Sequence, residues 1–262
     1  MDRCFADRAS GRLVEQRQDA HRVLAGAGRK FAANDVCRGG KQVGVAPAVD
    51  LMVASVIESE TLRTSLERVV IALNWMMAQF QLEENLFKPT IVNLSLGYRA
   101  EWVSETRVEA ASKGIQQILT TLVQDYNVLP IVAIGNDGPG QMRTPAWYPE
   151  ILSVGAVDRQ LAATNFSGGG RSPILTEIEP DIAGFGVDIY SSLERTIDGQ
   201  SSYAMATGTS MAAPYVAGIA ALAASADPTL QGEKLRQYLL TNALPLDAAH
   251  DRVGAGLARF VA

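Results

Sequence analysis

Apolar positions fall into two repeating patterns along this chain. Short apolar runs alternate with stretches in which apolar residues recur every three or four positions. Residues 51–57 (Leu-Met-Val-Ala-Ser-Val-Ile) read as a buried strand. Leu62, Leu66, Val69, Leu73, Met76 and Phe80 then mark an amphipathic helix, with Arg63, Glu67 and Arg68 on its wet face. Residues 90–97 form a second strand, closed by Gly97. Val108, Ala111, Ile115, Leu119, Leu122 and Tyr126 give another helix. Val128–Ile134 is a third strand, stopped by Gly135-Asn136-Asp137-Gly138, and 151–157 and a less regular 180–190 extend the series. A small-residue helix over about 209–225 and an amphipathic one over about 231–243 complete it. Strands buried on both faces and joined by helices predict an α/β fold with a mostly parallel sheet.

The first forty residues break this order. Val23-Leu24-Ala25 is their only short apolar stretch, and no strand is expected there. They carry eight of the 23 basic residues and a net charge of +3, against −5 for all 262 residues. The arginines are dispersed, and the acidic total (pI about 5.2) argues against a nucleic-acid-binding surface. The chain therefore reads as an atypical segment, 1–40, ahead of one domain, 41–262, with no repeat or low-complexity linker.

Composition narrows the chemistry. Two histidines exclude a multi-histidine metal site and leave His21 and His250 as the only imidazoles for catalysis. Cys4 and Cys37 are too few and too far apart for a zinc motif. The N-terminus shows no apolar signal-peptide core. Residues 199–226 carry no charge, but Ser201, Ser202, Thr207, Thr209, Ser210, Pro214 and several glycines make a buried helix a better reading than a membrane span. These features point to no membrane partner and leave the localisation unknown, with no signal peptide or transmembrane helix in the chain as written (cytoplasmic as written).

The most informative string is Gly208-Thr209-Ser210-Met211-Ala212-Ala213-Pro214-Tyr215-Val216-Ala217-Gly218. It places a serine at the start of a helix, where main-chain N–H groups and the helix dipole favour negative charge. Gly208 permits a tight entry, Thr209 can cap, and Pro214 is expected at an early helical position where its missing N–H costs little. Residue 212 is alanine, so this is not the Gly-x-Ser-x-Gly elbow of α/β-hydrolases.

The string resembles the nucleophile motif of the subtilisin-like serine peptidases, position by position. Other segments agree in order. Ile91-Val92-Asn93-Leu94-Ser95-Leu96-Gly97 looks like the family's substrate-pairing strand, and Val132-Ala133-Ile134-Gly135-Asn136-Asp137-Gly138 like its oxyanion-asparagine segment. Residues 148–158, 163–167 and Val43-Gly44-Val45-Ala46-Pro47 also match, so the resemblance covers roughly 41–245. It implies a three-layer subtilisin-like fold and a serine endopeptidase. Ser210 would attack a peptide carbonyl, and the Ser210 N–H and Asn136 amide would bind the resulting oxyanion. In subtilisin itself one such donor is worth roughly 3 kcal/mol. Ser95, Leu96 and Gly97 would pair with an extended peptide. Ala133 and Gly135 would line the pocket for the side chain preceding the cut, leaving room for a large apolar group.

The resemblance weakens before residue 41. The family's base is a histidine in a His-Gly-Thr-His-Val-Ala-Gly string, oriented by an aspartate at the end of an apolar strand. Here the nearest text is Asp19-Ala20-His21-Arg22-Val23-Leu24-Ala25-Gly26. Ungapped, Ala20 takes the catalytic position; a one-residue gap brings His21 there. His21 is thus either the base or an incidental residue, and His250 lies in a polar segment beyond the last helix. No Asp-Thr-Gly or Asp-Ser-Gly precedes Gly44, and Asp2, Asp7 and Asp19 are wrongly placed. The N-terminal strand is therefore expected to be missing or altered, and the orienting aspartate absent.

Many relatives bind calcium, but Asn34 and Asp35 alone offer too few oxygens, so no cofactor is required. Gly26-Ala27-Gly28 lacks the strand-to-helix setting of a nucleotide loop. The expected function is a subtilisin-type serine endopeptidase domain, truncated and weakly active or inactive as given. The alternative is a non-catalytic relative that binds extended peptides. Either way the partner is an extended peptide or protein.

Overall fold

A computed structural model describes residues 22–26, 36–38, 41–57, 64–86, 88–99, 102, 105–173, 176–192 and 203–261. Its elements run β1 (Arg22–Gly26), β2 (Val36–Arg38), β3 (Lys41–Val43), β4 (Asp50–Ala54), α1 (Leu66–Phe80), β5 (Thr90–Leu94), α2 (Glu105–Gln124), β6 (Leu129–Ala133) and β7 (Leu152–Val157). Then follow β8 (Gly170–Arg171), β9 (Ile178–Glu179), β10 (Ile182–Phe185), β11 (Ile189–Ser192), β12 (Tyr203–Ala206), α3 (Thr209–Ala226), α4 (Gly232–Asn242) and α5 (His250–Val253).

The central sheet has six strands in the order β10-β7-β6-β5-β1-β4, and every neighbouring pair is parallel. Strands β5, β6 and β7 are buried at every position. Period-two geometry divides their side chains between two layers. Val92, Leu94, Val132 and Ile134 meet Leu73, Met76, Leu119 and Leu122 from α1 and α2 on one face. Ile91, Ile131, Ala133, Val154 and Ala156 meet Ala212, Ala213, Val216, Ala217 and Ala220 of α3 on the other. This is the three-layer arrangement implied by the resemblance.

Two expectations need correction. No strand was expected in the first forty residues, yet β1 lies in the sheet between β4 and β5, with Val23 level with Leu51 and Ile91. Sheet pairing is main-chain hydrogen bonding, and β4 and β5 would otherwise face each other with unpaired backbone groups. A five-residue strand suffices to fill that slot. The second correction concerns the C-terminus, where His250 opens a short helix, α5, packed against β7, β8 and β9.

Helix α3 is apolar all round. Among the described residues it alone is long and apolar enough to cross a membrane by length and composition, and 72% of it is buried inside this fold. Its alanines let it run directly beneath β5, β6, β7 and β10. That path delivers its N-terminus to the carboxyl edge of the sheet, where β5 and β6 also end.

Candidate active site

Three segments converge at that edge: Ser95-Leu96-Gly97 after β5, Gly135-Asn136 after β6, and Gly208-Thr209-Ser210 opening α3. Gly208 is the helix N-cap, with φ 152°, and gives no side-chain cap. The cap comes instead from another segment. Asn136 Oδ1 accepts the Thr209 N–H at 2.9 Å and the Thr209 hydroxyl at 2.9 Å. A main-chain N–H can only donate, so this contact fixes which amide atom is oxygen. The Nδ2 donor is thereby turned to the other side, and Asn136 is exposed. A Cβ on residue 208 would stand 3.3 Å from Nδ2, so glycine also keeps that donor clear.

Thr209 is buried and its oxygen also accepts the Gly135 N–H at 3.3 Å. Thr209 was expected to cap its own helix; it instead locks α3 to the segment after β6. Ser210, half-buried, follows at the second helical position. Among the described residues its main-chain N–H has no partner, while the Met211 N–H bonds Gly208 O at 3.0 Å. The Ser210 N–H and Asn136 Nδ2 are thus two donors at one helix N-terminus, where the dipole adds to their pull on negative charge.

The Ser210 hydroxyl donates to the Ser95 carbonyl at 3.3 Å. The Ser95 hydroxyl donates to the Ser210 carbonyl at 3.0 Å and accepts from Asn93 Nδ2 at 3.0 Å. Asn93, Ser95 and Ile91 alternate along one face of β5 and its extension, the face toward α3. Pro214 explains why the Ser210 carbonyl is available. It was expected at an early helical position; α3 begins at Thr209, as expected, and Pro214 is its sixth residue, past the first turn. It therefore lacks the N–H that would bond the carbonyl of Ser210, four residues before it.

One of the two histidines can be placed relative to this arrangement. His21 lies outside the described residues, as do Asn34 and Asp35. Arg22, next in sequence to His21, opens β1 level with Asp50 and Thr90, on the sheet edge opposite Ser95 and Asn136. His250 is exposed on α5. The strand β1 reads Arg-Val-Leu-Ala-Gly and carries no carboxylate.

The cleft between Gly97 and Gly135 holds a residue the motifs did not single out. Tyr98 and Thr144 exchange main-chain hydrogen bonds at 2.9 and 2.8 Å, drawing residue 143 alongside both glycines. A Cβ at Gly97 would come 2.8 Å from Arg143 Cβ, and one at Gly135, whose φ is 112°, 2.8 Å from Arg143 Cγ. Arg143 pairs with Asp137 through Nε (2.6 Å) and Nη2 (3.0 Å) and stacks 4.8 Å from the Trp102 ring centroid. The Arg143 hydrogen bond and charge, with Arg99 beyond, hold the Asp137 carboxyl below its usual range. Ala133 is buried beneath α3 in the core. The Arg143 stem thus runs beside Gly135, one of the residues expected to line the pocket. Arg143 sits in a loop with no periodicity, and only its spacing before Tyr148-Pro149 could have marked it.

A serine at a helix N-terminus, a fixed amide donor and an open main-chain edge define the layout of a serine-nucleophile peptidase. The subtilase family model matches residues 22–256, and the chain belongs to that family. It is 47% identical over 222 residues to Subtilisin-like protease PopC of Myxococcus xanthus (strain DK1622), covering 83% of this chain and 46% of that protein. To the Major intracellular serine protease of Bacillus subtilis (strain 168) it is 30% identical over 236 residues, 86% of this chain and 64% of the relative. The chain thus spans about half to two thirds of these relatives. In fold it is similar to Sphericase (TM-score 0.69, 19% identity, 92% of each chain) and to Prenylagaramide maturation protease PagA (TM-score 0.68, 23% identity, 92% and 91%).

Proposed function

We propose that this chain is a subtilisin-type serine endopeptidase domain that is weakly active or inactive as it stands. Ser210 is the nucleophile, and its N–H with Asn136 Nδ2 forms the oxyanion site. Ser95, Leu96 and Gly97 take an extended peptide as an added strand. The observation that carries the reading is the Ser210 hydroxyl itself. Among the described residues it donates to the Ser95 carbonyl, while Asn136 Oδ1 is held by Thr209 and leaves Nδ2 as a donor. A serine alcohol without a base is a poor nucleophile at neutral pH, whereas the oxyanion donors cost nothing to keep.

The reading calls for no cofactor: the nucleophile, the oxyanion donors and the peptide edge are hydroxyl, amide and main-chain groups. The partner is an extended peptide or protein, and neither nucleic acid nor membrane has a place in it. The Ser210 hydroxyl, already bonded to the Ser95 carbonyl, favours a second reading: Ser95, Leu96, Gly97 and Asn136 serve peptide docking without cleavage.

Labelling with a fluorophosphonate probe separates the two, with Ser210→Ala as control. Slow, serine-dependent labelling is the result expected of a weak peptidase. Complete silence of the native chain, with peptide binding retained, would move the assignment to docking alone.

A further inference from the structure

We infer that Asn93 is a positioning residue for the Ser210 nucleophile, acting through the Ser95 hydroxyl. The inference rests on Ser210 being the nucleophile and goes beyond that reading in assigning Asn93. That residue lies on β5, only 3% exposed, two positions before Ser95. The direction of each hydrogen bond follows from the final acceptor. The Ser210 carbonyl can only accept, so the Ser95 hydroxyl spends its one proton there, at 3.0 Å. Toward Asn93, also at 3.0 Å, the Ser95 oxygen can then only accept, which makes the facing amide atom Nδ2. A donor at residue 93 thus holds the Ser95 proton on the Ser210 carbonyl. An acceptor there would draw the proton away.

The relay matters because of where it ends. Pro214 offers no N–H to the Ser210 carbonyl, so Ser95 stands in for a helical donor that the sequence omits. Gripping that carbonyl fixes the Ser210 main chain, and with it the Cα–Cβ bond that aims the hydroxyl. The Ser210 hydroxyl in turn donates to the Ser95 carbonyl at 3.3 Å, so one residue holds the nucleophile at both ends. Successive hydrogen bonds polarise one another, and the Asn93 donor strengthens the one that Ser95 makes.

Asn93→Asp tests this because it keeps the shape and reverses the relay with pH. Its protonated carboxyl can still donate to Ser95, whereas its ionised form only accepts. Labelling rates with a fluorophosphonate probe are compared with those of the native chain between about pH 5 and 9. The ratio of variant to native rates is expected to fall by on the order of tenfold as the carboxyl ionises. In a Ser95→Ala background the same ratio is expected to stay level. A ratio level in both backgrounds overturns the inference. So does an equal fall in both, which is a buried charge acting without Ser95. Silence of the native chain toward the probe overturns the nucleophile reading itself, and the positioning role with it. If Asn93→Asp fails to fold, the side-chain amide NMR signal of Asn93 decides in its place. It is expected to shift in Pro214→Ala, which returns an N–H to the Ser210 carbonyl, and an unmoved signal overturns the inference.

Discussion

Ser95 and Ser210 are joined twice, each hydroxyl donating to the other residue's main-chain carbonyl, at 3.0 and 3.3 Å. The first bond exists because Pro214 leaves the Ser210 carbonyl without its helical partner. Helix α3 and the segment after β5 are thus tied together at Ser210, through a vacancy that a proline creates.

This relationship predicts non-additive mutations. Ser95→Ala removes the donor and is expected to cost about 1–2 kcal/mol in urea unfolding, since the Ser210 carbonyl and Asn93 amide both lose a partner. Pro214→Ala restores an N–H four residues after Ser210. In that background Ser95→Ala is expected to cost measurably less. Equal costs in the two backgrounds would break the proposed link.

Asn136→Ala tests whether that side chain is structural as well as chemical. Its Oδ1 caps the Thr209 N–H and takes the Thr209 hydroxyl. Losing a cap of this kind costs about 1 kcal/mol. The expected outcome is a lowered melting temperature, with a drop in any fluorophosphonate labelling beyond what partial unfolding explains. A variant of undiminished stability would show that Thr209 finds its partners elsewhere.

Gly135→Ala brings two separable penalties. At φ 112° an L side chain is strained, by about 1–2 kcal/mol, and its Cβ would meet Arg143 Cγ at 2.8 Å. Arg143→Ala removes the second penalty only. Chemical denaturation of both single variants and the double variant should show Gly135→Ala costing less once Arg143 is gone, with the backbone share persisting. Full additivity would place Arg143 away from the glycine.

The sequence made the layers of this fold readable because buried parallel strands and amphipathic helices leave strong periodic traces. Ile91 and Asn93 share one face of β5 while Val92 and Leu94 share the other, and that alternation is visible in the residues themselves. The converging motifs around Ser95, Asn136 and Ser210 were legible for a different reason, since nucleophile, donor and main-chain edge each demand particular residue types. The strand β1 was not legible, because its place is set by main-chain pairing with β4 and β5, to which its composition gives little guide. Nor was Arg143, whose role arises from the Tyr98–Thr144 bridge and two glycines distant in sequence. Pro214 was legible as an early helical proline, but its consequence, a Ser210 carbonyl left open to the Ser95 hydroxyl, depends on where β5 ends and is set by the fold.

A pH dependence follows from the far side of the sheet. Glu179 is only 4% exposed, and burial, with the Asp181 charge next to it, pushes its carboxyl up to about 7. The Ser153 hydroxyl donates to both carboxylates, Arg236 Nη2 pairs with Asp181 Oδ1 at 2.6 Å, and Glu177 adds further negative charge. Burial raises Asp181 as well, against the pull of Arg236. A carboxyl that holds its proton more tightly when folded gives the native state more bound protons than the unfolded chain between about pH 4.5 and 7. Stability from this group therefore falls as pH rises through that window, and stays reduced above it. Glu179→Gln keeps an acceptor for Ser153 and removes the ionisation. It is expected to flatten the pH profile of unfolding free energy and to be the more stable variant at pH 8, by roughly 1–3 kcal/mol relative to the difference at pH 4.5. Urea titrations at these two pH values check the sign. An unchanged profile in Glu179→Gln would place the ionisation on another group.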